Sequence, residues 1–320
     1  MKYFFTFLMS LLILLNSSAQ INTPPSSFTI FPLGVKGGLD ESNLSAYMIT
    51  ATGTDGYICM DAGTLHTGLE KLANANFFNG NNAEEIQKKY IKAYFISHAH
   101  LDHLAGLILN SPNDIAKPIY ALPSVLEVIK NNYFTWKSWA NFGSEGDPPI
   151  LNKYNYQALS EGKEISIPNT GLTVTTFILS HVKPYESTAF LVGHKNNYVL
   201  YLGDTGADEV EQSNQLEKLW MAVAEKIKAG QLKALFIEVS FDNAMPDKSL
   251  FGHLTPKLLM QELTILNHQS AGLLKNTPIY VTHIKPCANC EANIKKEIAE
   301  ANTLGLSILY PEQGKPIELK

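Results

Sequence analysis

Short apolar runs punctuated by Gly, Asp, Asn and Pro recur along the chain, and most have the length and flanks of strands. They fall at Phe28–Leu33, Leu44–Thr50, Tyr57–Met60, Ala93–Ser97, Leu172–Leu179, Thr188–Val192, Tyr198–Leu202, Ala234–Val239, Pro278–Thr282 and Leu306–Tyr310. Between them the period changes. Ala207–Lys228 places Leu216, Leu219, Trp220, Val223 and Ile227 at helical spacing. Pro256–Asn267 follows Thr255, an N-cap residue with Pro in the first turn, and Cys290–Asn302 is a third helical stretch. Strands come both in series and in alternation with helices, so the pattern predicts a mixed, layered α/β fold. No repeat and no low-complexity linker divides residues 20–320, which are read as a single domain. Asn131–Gln157 lacks a clear period and holds Trp136, Trp139 and Phe142. Such a stretch is either a lid or a segment packed on the body by its aromatics.

The start of the chain has another character. Lys2 precedes an almost wholly apolar Tyr3–Leu15, and Ser17-Ser18-Ala19 supplies small residues for cleavage. That is the pattern of a secretory signal peptide spanning residues 1–19, cut after Ala19. The alternative, an uncleaved membrane anchor, meets an apolar run shorter than the roughly 20 residues a spanning helix needs. The expectation is an exported protein, periplasmic or secreted, with no membrane span after cleavage and with a loose Pro/Ser-rich arm at Asn22–Ser27.

Composition narrows the field. The 320 residues carry 30 acidic and 25 basic side chains, a net charge of −5, and no Arg among the basic ones. A nucleic-acid partner is not expected, because that requires a basic stripe. Hydrophobic content of 45% with 17% charged residues is that of a globular chain. Three Cys cannot form a disulfide scaffold, although Cys287-Ala288-Asn289-Cys290 could close a local bridge or hold a thiol pair.

The chemistry concentrates in His98-Ala99-His100-Leu101-Asp102-His103, on the turn between the run ending at Ile96 and the helical run Leu104–Leu109. Imidazoles and a carboxylate converging on a turn are the ligand set of zinc and similar divalent ions. One lone buried His is ordinarily structural; three with an Asp in six residues are not so easily explained. Further ligands are expected at strand ends, and three positions qualify. His181 follows Leu172–Leu179, Asp204 follows Tyr198–Leu202, and His283 follows Pro278–Thr282. His66, His194 and His268 are read as ordinary surface residues.

The HxHxDH turn with its downstream His, Asp and His resembles the metallo-β-lactamase superfamily. The longer stretch His98 to Pro112, together with Gly252-His253-Leu254-Thr255-Pro256 and Thr282-His283-Ile284-Lys285, resembles the class II 3′,5′-cyclic-nucleotide phosphodiesterases. The resemblance implies a four-layer αββα sandwich and two divalent metal ions, with zinc the first expectation. It implies that His98, His100 and His181 hold one ion, that Asp102, His103 and His283 hold the other, and that Asp204 bridges them. Asp61 would support the site from behind, though Asp61-Ala62-Gly63 also reads as a plain turn. The implied activity is opening of a small cyclic nucleotide, cAMP or cGMP, to the 5′-nucleotide by a hydroxide that the metals generate. His253 is the candidate proton donor, against a simpler role in capping the next helix, and Glu238 would orient it. Lys285 is a candidate phosphate contact, against the default of a solvated lysine. Other readings are a thioester, lactam or lactone hydrolase of the same superfamily, or a catalytically idle metal- or nucleotide-binding protein. Oligomeric state is left open.

Overall fold

The computed structural model describes residues 27–320, so the signal segment 1–19 and most of the arm at Asn22–Ser27 lie outside the described residues. The first half runs β1 (Phe28–Gly34), β2 (Ala46–Ala51), β3 (Tyr57–Met60), α1 (His66–Asn74), α2 (Ala83–Tyr90), β4 (Ile91–Phe95), α3 (Leu101–Asn110) and β5 (Lys117–Ala121). Next comes α4 (Pro123–Val128), which continues into a π-helical turn at Ile129–Tyr133, and then β6 (Tyr154–Ala158). The second half runs β7 (Glu164–Ile167), β8 (Leu172–Ser180), β9 (Glu186–His194), β10 (Asn197–Leu202), α5 (Asp208–Glu211), α6 (Gln215–Lys228) and β11 (Leu232–Glu238). It closes with α7 (Pro256–Gln269), β12 (Ile279–Thr282), α8 (Cys290–Ala301), β13 (Ile308–Leu309) and β14 (Ile317–Leu319).

These strands form two seven-stranded sheets, ordered β14-β1-β2-β3-β4-β5-β6 and β13-β12-β11-β10-β9-β8-β7. In each sheet hairpins give way to parallel pairing, along β3 to β6 in one and β10 to β13 in the other. Because side chains alternate along a strand, one set of residues meets the opposite sheet and the other meets helices. Phe28, Ile30, Tyr47, Ile49, Phe95, Val192, Tyr201 and Phe236 form the core between the sheets. Leu69, Leu72, Ile86, Leu104, Leu107 and Val125 pack from α1 to α4 against Phe31, Met48, Cys59 and Ile119. Trp220, Val223, Leu259, Leu263, Ile294 and Ile298 of α6, α7 and α8 pack against Leu200, Leu235, Ile237 and Ile279. The result is the expected αββα sandwich, and burial on both faces explains why its inner strands read as continuous apolar runs.

The departures from the sequence pattern have local causes. The helix expected over Ala207–Lys228 is broken, because Gln212 turns left-handed at φ 47°. There the Asp208 carboxylate accepts from the amides of Leu216 and Glu217, so α6 starts at Gln215. Within Asn131–Gln157 the irregular part runs from Phe134 to Lys153, between the π-helical turn and β6. Two of its aromatics anchor it to the body, Phe134 stacking on Tyr154 and Trp139 donating to Ser111 Oγ at 3.1 Å, whereas Trp136 is exposed and donates to the Pro149 carbonyl within the segment. Strands β5, β6 and β7 and helices α1, α2 and α4 escaped the pattern because charged or polar residues interrupt their apolar positions. Cys287 and Cys290 are joined in a disulfide, and Cys59 is buried with a free thiol that burial pushes up. Among the described residues no helix is long and apolar enough to cross a membrane.

Candidate active site

All the proposed ligands lie where strands end. His98 follows β4, and His100, Asp102 and His103 occupy the start of α3. His181 follows β8, while Asp204, Glu238 and His283 stand at or just past the carboxyl ends of the parallel strands β10, β11 and β12. Strand ends in α/β sheets collect binding groups in this way, because consecutive loops converge there. The bend that brings His283 inward holds it at φ 58°, and Asp61 sits at φ 53°. Left-handed backbone in non-glycine residues costs roughly 1–3 kcal/mol each and clusters at functional sites.

The side chains converge. His100 Nδ1 lies 3.1 Å from His98 Nε2 and 3.3 Å from His181 Nε2. His103 Nε2 lies 3.1 Å from His283 Nε2, which is 3.2 Å from Asp102 Oδ2. Asp204 reaches both groups, with Oδ1 3.2 Å from His103 Nε2 and Oδ2 3.3 Å from His283 Nε2 and 3.7 Å from His98 Nε2. Three sets of ligand atoms result, each within 4.8 Å: Glu238, His253 and His283, and two larger ones, His98, His100, His181 and Asp204, and Asp102, His103, Asp204 and His283. The two larger sets share Asp204, the arrangement a bridging carboxylate requires.

The donor set fits cations, as the outer hydrogen bonds show. His181 Nδ1 faces the Gly252 carbonyl at 2.8 Å, and a carbonyl only accepts, so that nitrogen carries the proton and Nε2 presents a lone pair. His103 Nδ1 likewise donates to Asp61 Oδ2 at 2.8 Å. With Nδ1 of His103 and His181 committed outward, ring nitrogens gathered at 3.1–3.3 Å can turn their remaining lone pairs on a cation placed among them. Burial and neighbouring imidazoles hold His98 well below its ordinary range, and burial pushes His100 down and His181 down to about 4, so these three are neutral ligands at pH 7. Burial also opposes charge on His103, but Asp204 and Asp61 outweigh it and raise it well above the usual value. The negative charge of Asp204 and Asp61 that favours a second proton there also favours a cation. Burial works against ionised Asp204, yet His103, His283 and His253 together hold its carboxyl well below the usual range.

The outer layer holds residues the sequence pattern did not single out. Asp61, expected as a supporting group, accepts from the Ser97 amide at 2.7 Å, Ser97 Oγ at 2.9 Å and Tyr201 OH at 2.7 Å. Ser240 Oγ sits between Glu238 Oε2 at 2.8 Å, His253 Nδ1 at 3.2 Å and His283 Nδ1 at 2.9 Å. Asp102 Oδ2 accepts from the Gly38 amide at 2.8 Å. A Cβ on the adjacent Gly37 would lie 2.3 Å from His283 Cε1, so only glycine lets this loop approach. Gly252, at φ +74°, brings its carbonyl to His181 where a side chain would collide with the ring.

His253 is buried beside this cluster. Its Nδ1 lies 2.7 Å from Glu238 Oε1, and its Nε2 lies 3.0 Å from Lys285 Nζ. Burial, reinforced by Lys285, pushes His253 down to about 4. Burial and then Asp204 push Glu238 up to about 7. The helix-cap role considered for His253 belongs instead to Thr255, whose side chain accepts from Leu258 N. His66 and His268 are exposed and His194 is half-buried against the Gly171 carbonyl, all three outside the cluster.

A cavity of about 460 Å³ opens off His98, His100 and His181. Val125, Val128, Tyr133, Pro184 and Tyr185 make its walls largely apolar, and Ser124 and Glu186 add polar groups. A larger cleft of about 610 Å³ lies behind Gly252, lined by lysines and acids of opposite charge, and no proposed metal ligand faces it.

Comparison with known proteins agrees with this geometry. Residues 27–314 match the family described as cAMP phosphodiesterases class-II. A 3′,5′-cyclic-nucleotide phosphodiesterase of Aliivibrio fischeri is 40% identical over 306 residues, covering 91% of this chain and 93% of that protein. A probable 3′,5′-cyclic-nucleotide phosphodiesterase of Yersinia pestis is 35% identical, covering 94% and 92%. The crystal structure of unliganded yeast PDE1 superposes with a TM-score of 0.81 at 23% identity, over 92% of this chain and 100% of that one.

Proposed function

The chain belongs to the class-II cAMP phosphodiesterase family, and from that premise we propose that it is an exported hydrolase that opens cAMP and cGMP to their 5′-nucleotides with two divalent ions, zinc first. The observation that carries this reading is the pair of ligand sets sharing Asp204 beside an apolar cavity large enough for a nucleoside. His98, His100 and His181 would hold one ion, Asp102, His103 and His283 the other, and Asp204 both. When bound, such ions supply Lewis acidity, which activates water near neutral pH and offsets charge on phosphoryl oxygens.

The protein's own groups do the rest. Asp61, Gly252 and Ser240 orient His103, His181 and His283, so the ligand atoms are fixed before substrate arrives. The cavity walls desolvate the nucleoside and aim the cyclic phosphate at Asp204. The ribose 3′ oxygen departs as an alkoxide and needs a proton. His253 is the candidate donor: its Nε2 accepts from Lys285 Nζ in this structure, so the ring would first take up a second proton, a state the Glu238 carboxylate 2.7 Å from Nδ1 would stabilise. Export is supported by the apolar segment Tyr3–Leu15 with its small-residue cleavage site, and the Cys287–Cys290 disulfide suits an oxidising compartment.

The test is incubation of the zinc-loaded protein with cAMP, cGMP, a β-lactam and a thioester, with phosphorus NMR to identify products. Release of 5′-nucleotides and not 3′-nucleotides is expected. No turnover of either cyclic nucleotide would reject the reading. His253→Gln should lower kcat by roughly 10²–10⁴-fold with metal content intact. Sequencing the N-terminus of exported protein should find Gln20 first.

A further inference from the structure

We propose that Lys285 is the side-chain cation that grips the substrate's phosphoryl group, with His253 and Phe241 positioning it. This rests on the reading of the site as a phosphodiesterase centre. Lys285 is half-buried on the loop after β12, two residues past His283. Its Nζ lies 3.0 Å from His253 Nε2 and sits over the Phe241 ring, 5.1 Å from the centroid. Phe241 in turn meets His253 edge to face at 5.7 Å. An ammonium has no lone pair, so the contact runs from Lys285 into the imidazole, whose Nδ1 is taken up by Glu238.

That leaves two N–H groups of the ammonium without a hydrogen-bond partner among the described residues, and no carboxylate within ion-pair distance. Other lysines contrast with it. Lys36 pairs with Glu291, Lys117 with Asp114, Lys130 with Glu127 and Lys295 with Glu291. A half-buried cation without a counter-ion is costly unless an anion completes it. The neighbouring imidazole has Nδ1 3.7 Å from Asp204 Oδ2, so the ammonium stands at the rim of the cluster that a cyclic phosphate would occupy. The chain has no Arg, so the fork that ordinarily holds phosphate is not on offer, and a fixed lysine acts as the point charge.

The experiment measures binding as well as turnover. Zinc-loaded wild type, Lys285→Met, Lys285→Gln and Lys285→Arg are titrated calorimetrically with 5′-AMP and with adenosine, and metal content is determined for each. Expected for Lys285→Met and Lys285→Gln is about a tenfold loss of 5′-AMP affinity, the scale of one hydrogen bond to a charged group. Adenosine affinity and bound metal should be unchanged, and Lys285→Arg should recover most of the loss. Wild-type affinity for 5′-AMP in either neutral variant overturns the proposal, even if turnover falls, because Lys285 would then act only by holding His253. Wild type that binds 5′-AMP in a Lys285-dependent way but turns over no cyclic nucleotide would reject the phosphodiesterase reading and leave the cation role standing.

Discussion

Asp114 and Lys117 are buried almost as deeply at one end of the parallel strands β4 and β5 as Asp204 and His103 are near the other, with exposures of 5%, 6%, 2% and 1%. The first pair is saturated. Lys117 Nζ lies 2.7 Å from Asp114 Oδ1 and donates to the Gln87 carbonyl at 2.8 Å. Asp114 Oδ2 accepts from Tyr94 OH at 2.8 Å and Tyr154 OH at 3.0 Å. Charge cancels and the principal polar groups find partners within the chain. At the active-site end several imidazoles share Asp102 and Asp204, with His103 Nε2 3.1 Å from His283 Nε2 and 3.2 Å from Asp204 Oδ1, and no lysine stands within ion-pair distance of either carboxylate among the described residues. Burial and charge alone therefore do not mark a site; incompleteness does.

The sharpest way to break this contrast is to remove the shared acceptor. Asp204→Ala should lower turnover by more than about 10²-fold, the upper range for losing a single supporting residue, and should reduce bound metal in parallel. Elemental analysis beside cyclic-nucleotide assays gives the answer. Full activity with two ions still bound would end the bridging role. The saturated cluster should respond in the opposite currency. Asp114→Ala strands a buried ammonium and should cost about 3–5 kcal/mol of stability in chemical denaturation, with kcat unchanged in protein that stays folded. Replacing both partners, Asp114→Leu with Lys117→Met, should cost much less, since no unpaired charge is left. Loss of activity in the folded double variant would show that the two clusters are coupled.

Much of the candidate site was legible because side chains of the metal-ligand type stand out in a sequence. His, His, Asp and His within six residues, and single polar residues after apolar runs, led to His98, His100, Asp102, His103, His181, Asp204 and His283. The sheets were legible for a related reason: burial on two faces makes continuous apolar runs. What escaped was the outer layer. Tyr201 lies inside an apolar run, and its hydroxyl on Asp61 leaves no trace in a pattern of hydrophobicity. Ser97 belongs to the turn but has no chemistry of its own to signal. Ser240 had a faint signal, as the first polar residue after Ala234–Val239, the same position Asp204 holds after Tyr198–Leu202. Lys285 was ambiguous in sequence because a lysine's partners are spatial, and only its approach to His253 distinguishes it from a solvated one.

A smaller effect is expected one step further out. Asp61→Asn keeps the shape but weakens the acceptor that orients His103, so metal affinity should fall by about 10–100-fold while the fold is retained. Competition with a chromophoric chelator measures this. An unchanged affinity would make Asp61 the end of a turn and nothing more.

The mildest probe uses pH on the saturated cluster. Burial, and then Asp114, hold the Tyr94 and Tyr154 phenols above their ordinary value, so the folded protein keeps these protons longer than the unfolded chain does. Their contribution is complete below about pH 10, where free tyrosine begins to ionise, and is lost as pH rises, at up to about 1.4 kcal/mol per pH unit for each phenol. Lys117 runs the other way. Burial lowers it, so its contribution improves with rising pH until free lysine loses its proton near about 10.4. Above that point the phenols act unopposed. The unfolding free energy should therefore fall steeply above about pH 10.5, and Tyr154→Phe should make the fall shallower by the share of one phenol. Parallel slopes in wild type and Tyr154→Phe would mean that Tyr154 shares no proton linkage with this cluster, and the saturated network would need to be redrawn around Tyr94 alone.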